Sequence, residues 1–482
     1  CQFGFRTNIR TCEMGLTTLI IGVLCMICFS SGENSTCDNS LEDCAPLILT
    51  PLISKGNVKE ARLRAEVKFE DFKNVKSYSG YLTVNENFNS NLFFWFFPAE
   101  VDYEYAPVIL WLQGGPGTST MVGVFLEHGP FTVQPDLTLE LRKHRWTTNH
   151  SVIYMDNPVG TGYSFTDPET YARNQTVVGD HLYTALIQFF QLFPEIQRNP
   201  FYVFGESYGG KYVPAISYAI HKKNPVAKLK INLQGLGIGN GFSDPVNQIK
   251  YSDYLYQTGL IDMNDKKKME AQEQKIIDLI HLEKWEEAYF SFSDLIYNGN
   301  DTDTLFSKLT GYNDTNSLLD ESPTHNIEAL IYILRDDLMS ALHVPVDHVF
   351  KGQMVVRYLI PDIMQSVAVW ISELLNSYRV LVYNGQLDII VPYTGTINYL
   401  NKLNFSSSKL YGSVSRSKWI VEDMLAGYAK CAGNLTEVLV RNAGHMVPTY
   451  QPKRMLHLIT RFTRNHSLCV EQNEDDRPQN NK

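Results

Sequence analysis

The sequence predicts an α/β protein with a mostly parallel central sheet, helices on both faces and an inserted helical cap. Three observations carry that prediction. Short apolar runs bounded by turn residues recur along the chain, helix-like stretches separate them, and a charged block interrupts their order before strand-like runs return.

The strand-like runs are Tyr81–Val84, Leu92–Phe97, Val108–Leu112, Val152–Met155, Phe201–Phe204, Val380–Tyr383 and Val438–Val440. Continuous apolar runs of this length fit strands covered on both faces. Between them, Asp180–Leu192 and Tyr212–Lys222 carry apolar residues at helical spacing, with Pro214 near the start of the second, where the ring is tolerated. From residue 244 to 344 charged helical segments such as Lys266–Leu282 and Lys284–Asp294 replace the strands. Core strands resume after Arg379, so this block reads as an insertion, and an insertion between sheet strands usually covers a pocket. The expected organisation is a leader over 1–32, an N-terminal segment over 33–76, a core over 77–243 and 345–468, the cap over 244–344, and a polar tail over 469–482.

With 482 residues and 44% hydrophobic content, the chain can bury a large core. Its net charge of -10 is spread out, with no long basic run, which argues against nucleic acid as a partner. Gly15–Phe29 has the length of a signal-peptide apolar region, small residues follow it, and Met14 directly before it is a candidate for the true start. The run is too short to favour a spanning helix, so no stable membrane anchor is expected. A secretory route predicts N-glycans and disulfides. Sequons occur at Asn34, Asn149, Asn174, Asn300, Asn313, Asn404, Asn434 and Asn465. Beyond the leader the cysteines are Cys37, Cys44, Cys431 and Cys469, enough for two disulfides in any of three pairings, at spacings that match no zinc site.

The chemistry centres on Gly205-Glu206-Ser207-Tyr208-Gly209, which stands between an aromatic strand and a helix. In that context G-x-S-x-G is the nucleophile elbow of the α/β-hydrolase fold, a sharp turn that presents the serine above the sheet. A serine hydroxyl needs a histidine to take its proton and a carboxylate to orient that histidine, and this fold supplies them in the order Ser, acid, His. Asp388 follows the strand-like Val380–Tyr383 by one turn, and His445 follows Val438–Val440 in the loop Arg441-Asn-Ala-Gly-His445. Ser207, Asp388 and His445 are therefore the expected catalytic triad. Trp111-Leu-Gln-Gly-Gly-Pro-Gly117 adds a glycine-rich turn after a strand, so the backbone N–H groups of Gly115 and Tyr208 are the expected oxyanion donors.

Trp111-Leu-Gln-Gly-Gly-Pro-Gly117, Glu127-His-Gly-Pro130, Asp156-Asn-Pro-Val-Gly-Thr-Gly-Tyr-Ser164, Gly205-Glu-Ser-Tyr-Gly-Gly210, Tyr383-Asn-Gly-Gln-Leu-Asp388 and Gly444-His-Met-Val-Pro448, taken together, resemble the serine carboxypeptidase family, and within it most closely the vitellogenic carboxypeptidase-like proteins. The resemblance runs from Ser77 to about Phe462. It implies release of one residue at a time from peptide or protein C-termini, without a cofactor or metal. It also implies that Gln113, Gly114, Glu127 and Glu206 hold the substrate's terminal carboxylate. Two carboxyl groups can do so only when they share protons, because three adjacent anions repel, so catalysis should favour acidic solution. Position 113 carries Gln where Asn is common, position 118 carries Thr where many members have a disulfide cysteine, and the cap contains no cysteine.

Two other readings stay open at this stage. One is an acyltransferase or esterase on the same fold, against which Glu206 beside the nucleophile argues. The other is a catalytically silent secreted binding protein, which would tolerate loss of a triad member although none is lost. The route through the leader points to secretion or the lysosome.

Overall fold

The structure, a computed structural model, describes residues 45–72, 75–297, 303–319 and 327–469. The expected leader, Cys37, Cys44, the sequons at Asn34 and Asn300, and the tail from residue 470 lie outside the described residues.

Twelve strands are described: β1 (Tyr78–Asn85), β2 (Ser90–Phe97), β3 (Val108–Leu112), β4 (Phe131–Val133), β5 (Leu139–Leu141), β6 (Ser151–Met155), β7 (Phe201–Glu206), β8 (Leu233–Gly239), β9 (Arg379–Gly385), β10 (Ser417–Val421), β11 (Met424–Ala432) and β12 (Leu435–Val440). β4 and β5 form a small separate hairpin, and the other ten make one sheet in the order β1-β2-β6-β3-β7-β8-β9-β12-β11-β10. From β6 to β12 every neighbouring pair is parallel. β1 and β2 at one flank, and β11 and β10 at the other, are antiparallel, so the sheet is mixed with a parallel centre.

In β2, β3, β6 and β7 every residue is buried, which is why these strands read as continuous apolar runs. Their alternation is real but hidden: Phe94, Phe96, Leu110 and Val203 enter one apolar cluster, while Phe93, Trp95, Ile109 and Phe204 enter another on the opposite face. The first face is covered by α1 (Gln175–Leu192) and α2 (Gly209–Lys223), which contribute Val178, Leu182, Phe189, Val213 and Ile216. Each such fully buried side chain contributes about 1.5–3 kcal/mol. Asn174 caps α1 by accepting the N–H of Val177 at 3.0 Å.

α2 begins at Gly209, three residues before its predicted start, so Pro214 lies inside the helix and leaves the carbonyl of Gly210 without its helical partner. The hydroxyl of Ser243 donates to that carbonyl at 2.8 Å and makes good the loss.

Between β8 and β9 all the described elements are helices. α3 (Met263–His281), capped by Asp262, packs against α4 (Trp285–Leu295), and α4 in turn packs against α5 (Gly352–Ile363). The last helix, α6 (Pro452–Thr463), covers the second face with Met455, Leu458, Ile459 and Phe462. A disulfide joins Cys431 in β11 to Cys469 just beyond α6. Among the described residues no single helix is long and apolar enough to cross a membrane.

Candidate active site

Ser207 stands in the turn from β7 to α2 with φ +57°, a left-handed conformation that a residue bearing a Cβ adopts at a cost. The surrounding hydrogen bonds hold it there. Its N–H donates to Gly239 O at 3.0 Å, and its carbonyl accepts the N–H groups of Gly210 and Phe242, each at 2.9 Å. Gly114 is the residue that lets the preceding glycine-rich loop lie against this turn. A Cβ there would stand 2.6 Å from the Ser207 Cβ and 2.9 Å from the Tyr208 nitrogen.

His445 and Asp388 come from the turns after β12 and β9, strands that are parallel neighbours in the sheet. His445 Nδ1 lies 2.9 Å from Asp388 Oδ2. Asp388 is completely buried, and its other oxygen accepts the N–H of Val391 at 3.1 Å. Asn240 adds a second contact to Oδ2 through its side-chain amide, while its own Oδ1 accepts the N–H of Gly385 at 3.2 Å. This asparagine is absent from the sequence-predicted set. Asn240-Gly241 looks like an ordinary turn, and only the pairing of β8 with β9 puts it beneath Asp388.

Ser207, His445, Gln113, Gly114, Gly115, Glu206 and Tyr208 all line one cavity of about 350 Å³. Its remaining wall is largely apolar, with Phe242 from the turn after β8, Tyr289 and Phe292 from α4, and Val356 and Ile363 from α5. Glu127, at the end of the π-helical turn Gly123–Glu127, sits just behind this lining and is fully buried. Gln113 joins the two acids. Its Nε2 donates to Glu127 Oε1 at 3.0 Å and to Glu206 Oε1 at 2.9 Å, while its Oε1 accepts the indole N–H of Trp111 at 2.9 Å.

Burial, which disfavours the charged form, pushes both carboxyls upward, and Glu206 is pushed further by the charge of Glu127 beside it. One oxygen on each, Oε2, is buried with no partner outside the pair. Such a pair holds a proton where ordinary carboxylates have lost theirs. The loop that carries Gln113 is tied down a few residues later. Asp156, at the end of β6, accepts the N–H of Thr120 at 2.7 Å and the hydroxyl of Ser119 at 2.9 Å. Among the described residues no group of three or more His, Cys, Asp or Glu is arranged to hold a metal ion.

A serine in a strained strand-to-helix turn, with a buried Asp–His pair at the ends of two later parallel strands, defines a serine hydrolase of the α/β-hydrolase class. The sequence comparisons are more specific. The serine carboxypeptidase family profile matches residues 67–465, and this chain belongs to that family. It is 51% identical over 427 residues to the venom serine carboxypeptidase of Apis mellifera, covering 87% of this chain and 91% of that one. It is 43% identical over 429 residues to the vitellogenic carboxypeptidase of Aedes aegypti, covering 88% and 91%. Among solved structures, the prohormone-processing carboxypeptidase Kex1(delta)p of Saccharomyces cerevisiae superposes with a TM-score of 0.71 at 22% identity, covering 85% of this chain and 98% of that one, a likeness of fold. The chain is a serine-type carboxypeptidase, a hydrolase that acts on peptides.

Proposed function

We propose that this carboxypeptidase releases single C-terminal residues by acyl-enzyme chemistry in mildly acidic solution, with Ser207, His445 and Asp388 as the triad. The Ser207 hydroxyl attacks the last peptide carbonyl while His445 takes its proton. The developing oxyanion is held by the N–H groups of Gly115 and Tyr208. His445 then gives the proton to the leaving amine as the C–N bond breaks, and water hydrolyses the ester by the reverse proton path. Asp388 holds the imidazole in the tautomer this requires.

The observation that carries the reading is the acid pair beside the nucleophile. Glu206 directly precedes Ser207 and lines the same cavity, and Gln113 binds it together with Glu127. In this reading Gln113, Gly114, Glu127 and Glu206 receive the terminal carboxylate, and the retained proton turns repulsion between anions into a hydrogen bond. As pH rises and the pair loses its proton, peptide KM should rise.

The test is KM for one peptide between about pH 4 and pH 8, in the wild type and in Glu206→Gln. The variant should show the weaker pH dependence and should spare turnover of an ester lacking a free carboxylate. An unchanged KM profile would remove the acid pair from substrate binding.

We also infer passage through the secretory route, to the lysosome or outside the cell. The Cys431–Cys469 bond supports an oxidising compartment, and the sequons at Asn174, Asn313, Asn404 and Asn465 are exposed. Asn434 is a poor acceptor for a glycan, because its side-chain amide donates to Leu375 O at 2.9 Å.

A further inference from the structure

A charged group lies buried under the first turn of α2, outside the triad and the acid pair. Lys211 is wholly buried and its ammonium stands 3.2 Å from Asp362 Oδ2. The same ammonium donates to the backbone carbonyls of Asp362 and, at 3.2 Å, of Ile363. Gln175, at the start of α1, donates to Asp362 Oδ2 at 2.7 Å and to the Tyr208 hydroxyl at 3.3 Å. The Tyr208 hydroxyl in turn points at Asp362 Oδ2 from 3.4 Å. One carboxylate thus gathers Lys211, Gln175 and Tyr208, and Tyr208 is the residue next to the nucleophile.

Asp362 and Ile363 end α5, and the opposite end of that helix meets the other side of the cavity. Gly352 touches Gly117 backbone to backbone, so closely that a Cβ on Gly117 would stand 2.5 Å from the Gly352 carbonyl oxygen. α5 therefore meets the backbone of the Gly115–Gly117 turn at one end and the side chains of Tyr208 and Lys211 at the other, and between these ends it contributes Gln353 and Val356 to the cavity wall. A buried ion pair is a poor source of net stability, since desolvation offsets much of its attraction, but it tolerates few geometries.

We propose that Asp362, paired with Lys211, is a positioning residue for the oxyanion site: it locks the end of α5 to Tyr208, so that the two backbone donors, carried by segments at opposite ends of α5, keep their spacing. The inference rests on the assignment of Gly115 and Tyr208 as those donors. Displacement of one donor acts on the transition state and leaves ground-state peptide binding alone.

The test uses Lys211→Met/Asp362→Leu, which removes both charges together and leaves neither stranded. In enzyme whose near-ultraviolet circular dichroism matches the wild type at the assay temperature, kcat should fall about tenfold with KM unchanged, and affinity for a peptide boronate, whose tetrahedral adduct puts an oxygen between the donors, should fall by about the same factor. A merely structural role would lower the melting temperature and leave kcat and boronate affinity of the folded fraction intact. That result overturns the proposal. Should the double variant not fold, Tyr208→Phe decides: it removes only the hydroxyl at Asp362, and the expected result is about a threefold loss of kcat and of boronate affinity at constant KM, while wild-type values for both overturn the proposal. Ser207→Ala runs alongside. Turnover surviving in Ser207→Ala would bring down the active-site assignment itself, whereas an inactive Ser207→Ala beside unaltered positioning variants would bring down the coupling alone.

Discussion

Ser207 and His445 act as one unit on the proposed assignment, so losing either should cost nearly as much as losing both. Ser207→Ala and His445→Ala should each lower kcat by about 10⁶ while leaving the melting temperature within a few degrees. Peptide turnover measured with purified, folded protein checks this, and a Ser207→Ala enzyme with a tenth of wild-type activity would contradict it. Asn240→Ala should act through Asp388. With the amide contact gone, the carboxylate loses one of the groups that orient it, and kcat should fall about 10–100-fold with little change in KM. Single-turnover rates at saturating peptide separate that loss from a binding defect. Ser207, Asp388 and His445 were legible as candidates because each follows a strand-like run in a distinctive loop. Asn240 was not, since its role arises from the pairing of β8 with β9.

At the scale of single elements, β8 shows why a strand can escape detection. Gly235, Gly237 and Gly239 make its sequence look like a loop. Their missing side chains are replaced by rings from adjacent strands. A Cβ on Gly237 would lie 2.1 Å from the Phe204 ring, and one on Gly239 would lie 2.2 Å from the ring of Tyr383. β10 and β11 were missed for another reason: they are part-exposed and mixed in composition, so neither an apolar run nor a clean alternation announces them.

The segments that carry Glu127 and Glu206 supply a prediction about stability. Both carboxyls are raised in the folded protein, chiefly by burial, whereas in the unfolded chain they titrate near the ordinary value of 4.5. Above that value the folded protein keeps a proton that the unfolded chain releases. The stability this contributes is therefore full in acid and is lost as pH rises through the raised values. Melting temperature should decline from about pH 5 towards about pH 8, and less steeply in Glu206→Gln. A variant that kept the wild-type slope would contradict the shared proton.

For the molecule as a whole, the described part closes on a covalent link. Cys431–Cys469 fastens the segment after α6 to β11 across a separation of 38 residues. Replacing both cysteines by serine should cost about 2–4 kcal/mol and leave kcat unchanged, because neither residue borders the active-site cavity. Denaturant unfolding and steady-state kinetics on the double variant test both halves. The class of fold was readable from the sequence, since buried parallel strands and an elbow motif leave strong local signals. The mixed flanks and the path of α5 across the cavity were not, because they depend on contacts between segments far apart in the chain.

The order of the sheet also has a consequence in time. Ser207 leaves the ribosome with β7, whereas His445, its partner on the proposed assignment, follows β12, which enters the sheet beside β9. On the proposed assignment, a chain still being made, or one cut short before Leu435, carries the nucleophile without a base and cannot turn over peptides. On this reading the enzyme acquires its capacity to cut only after β12 has been made and has joined the sheet beside β9.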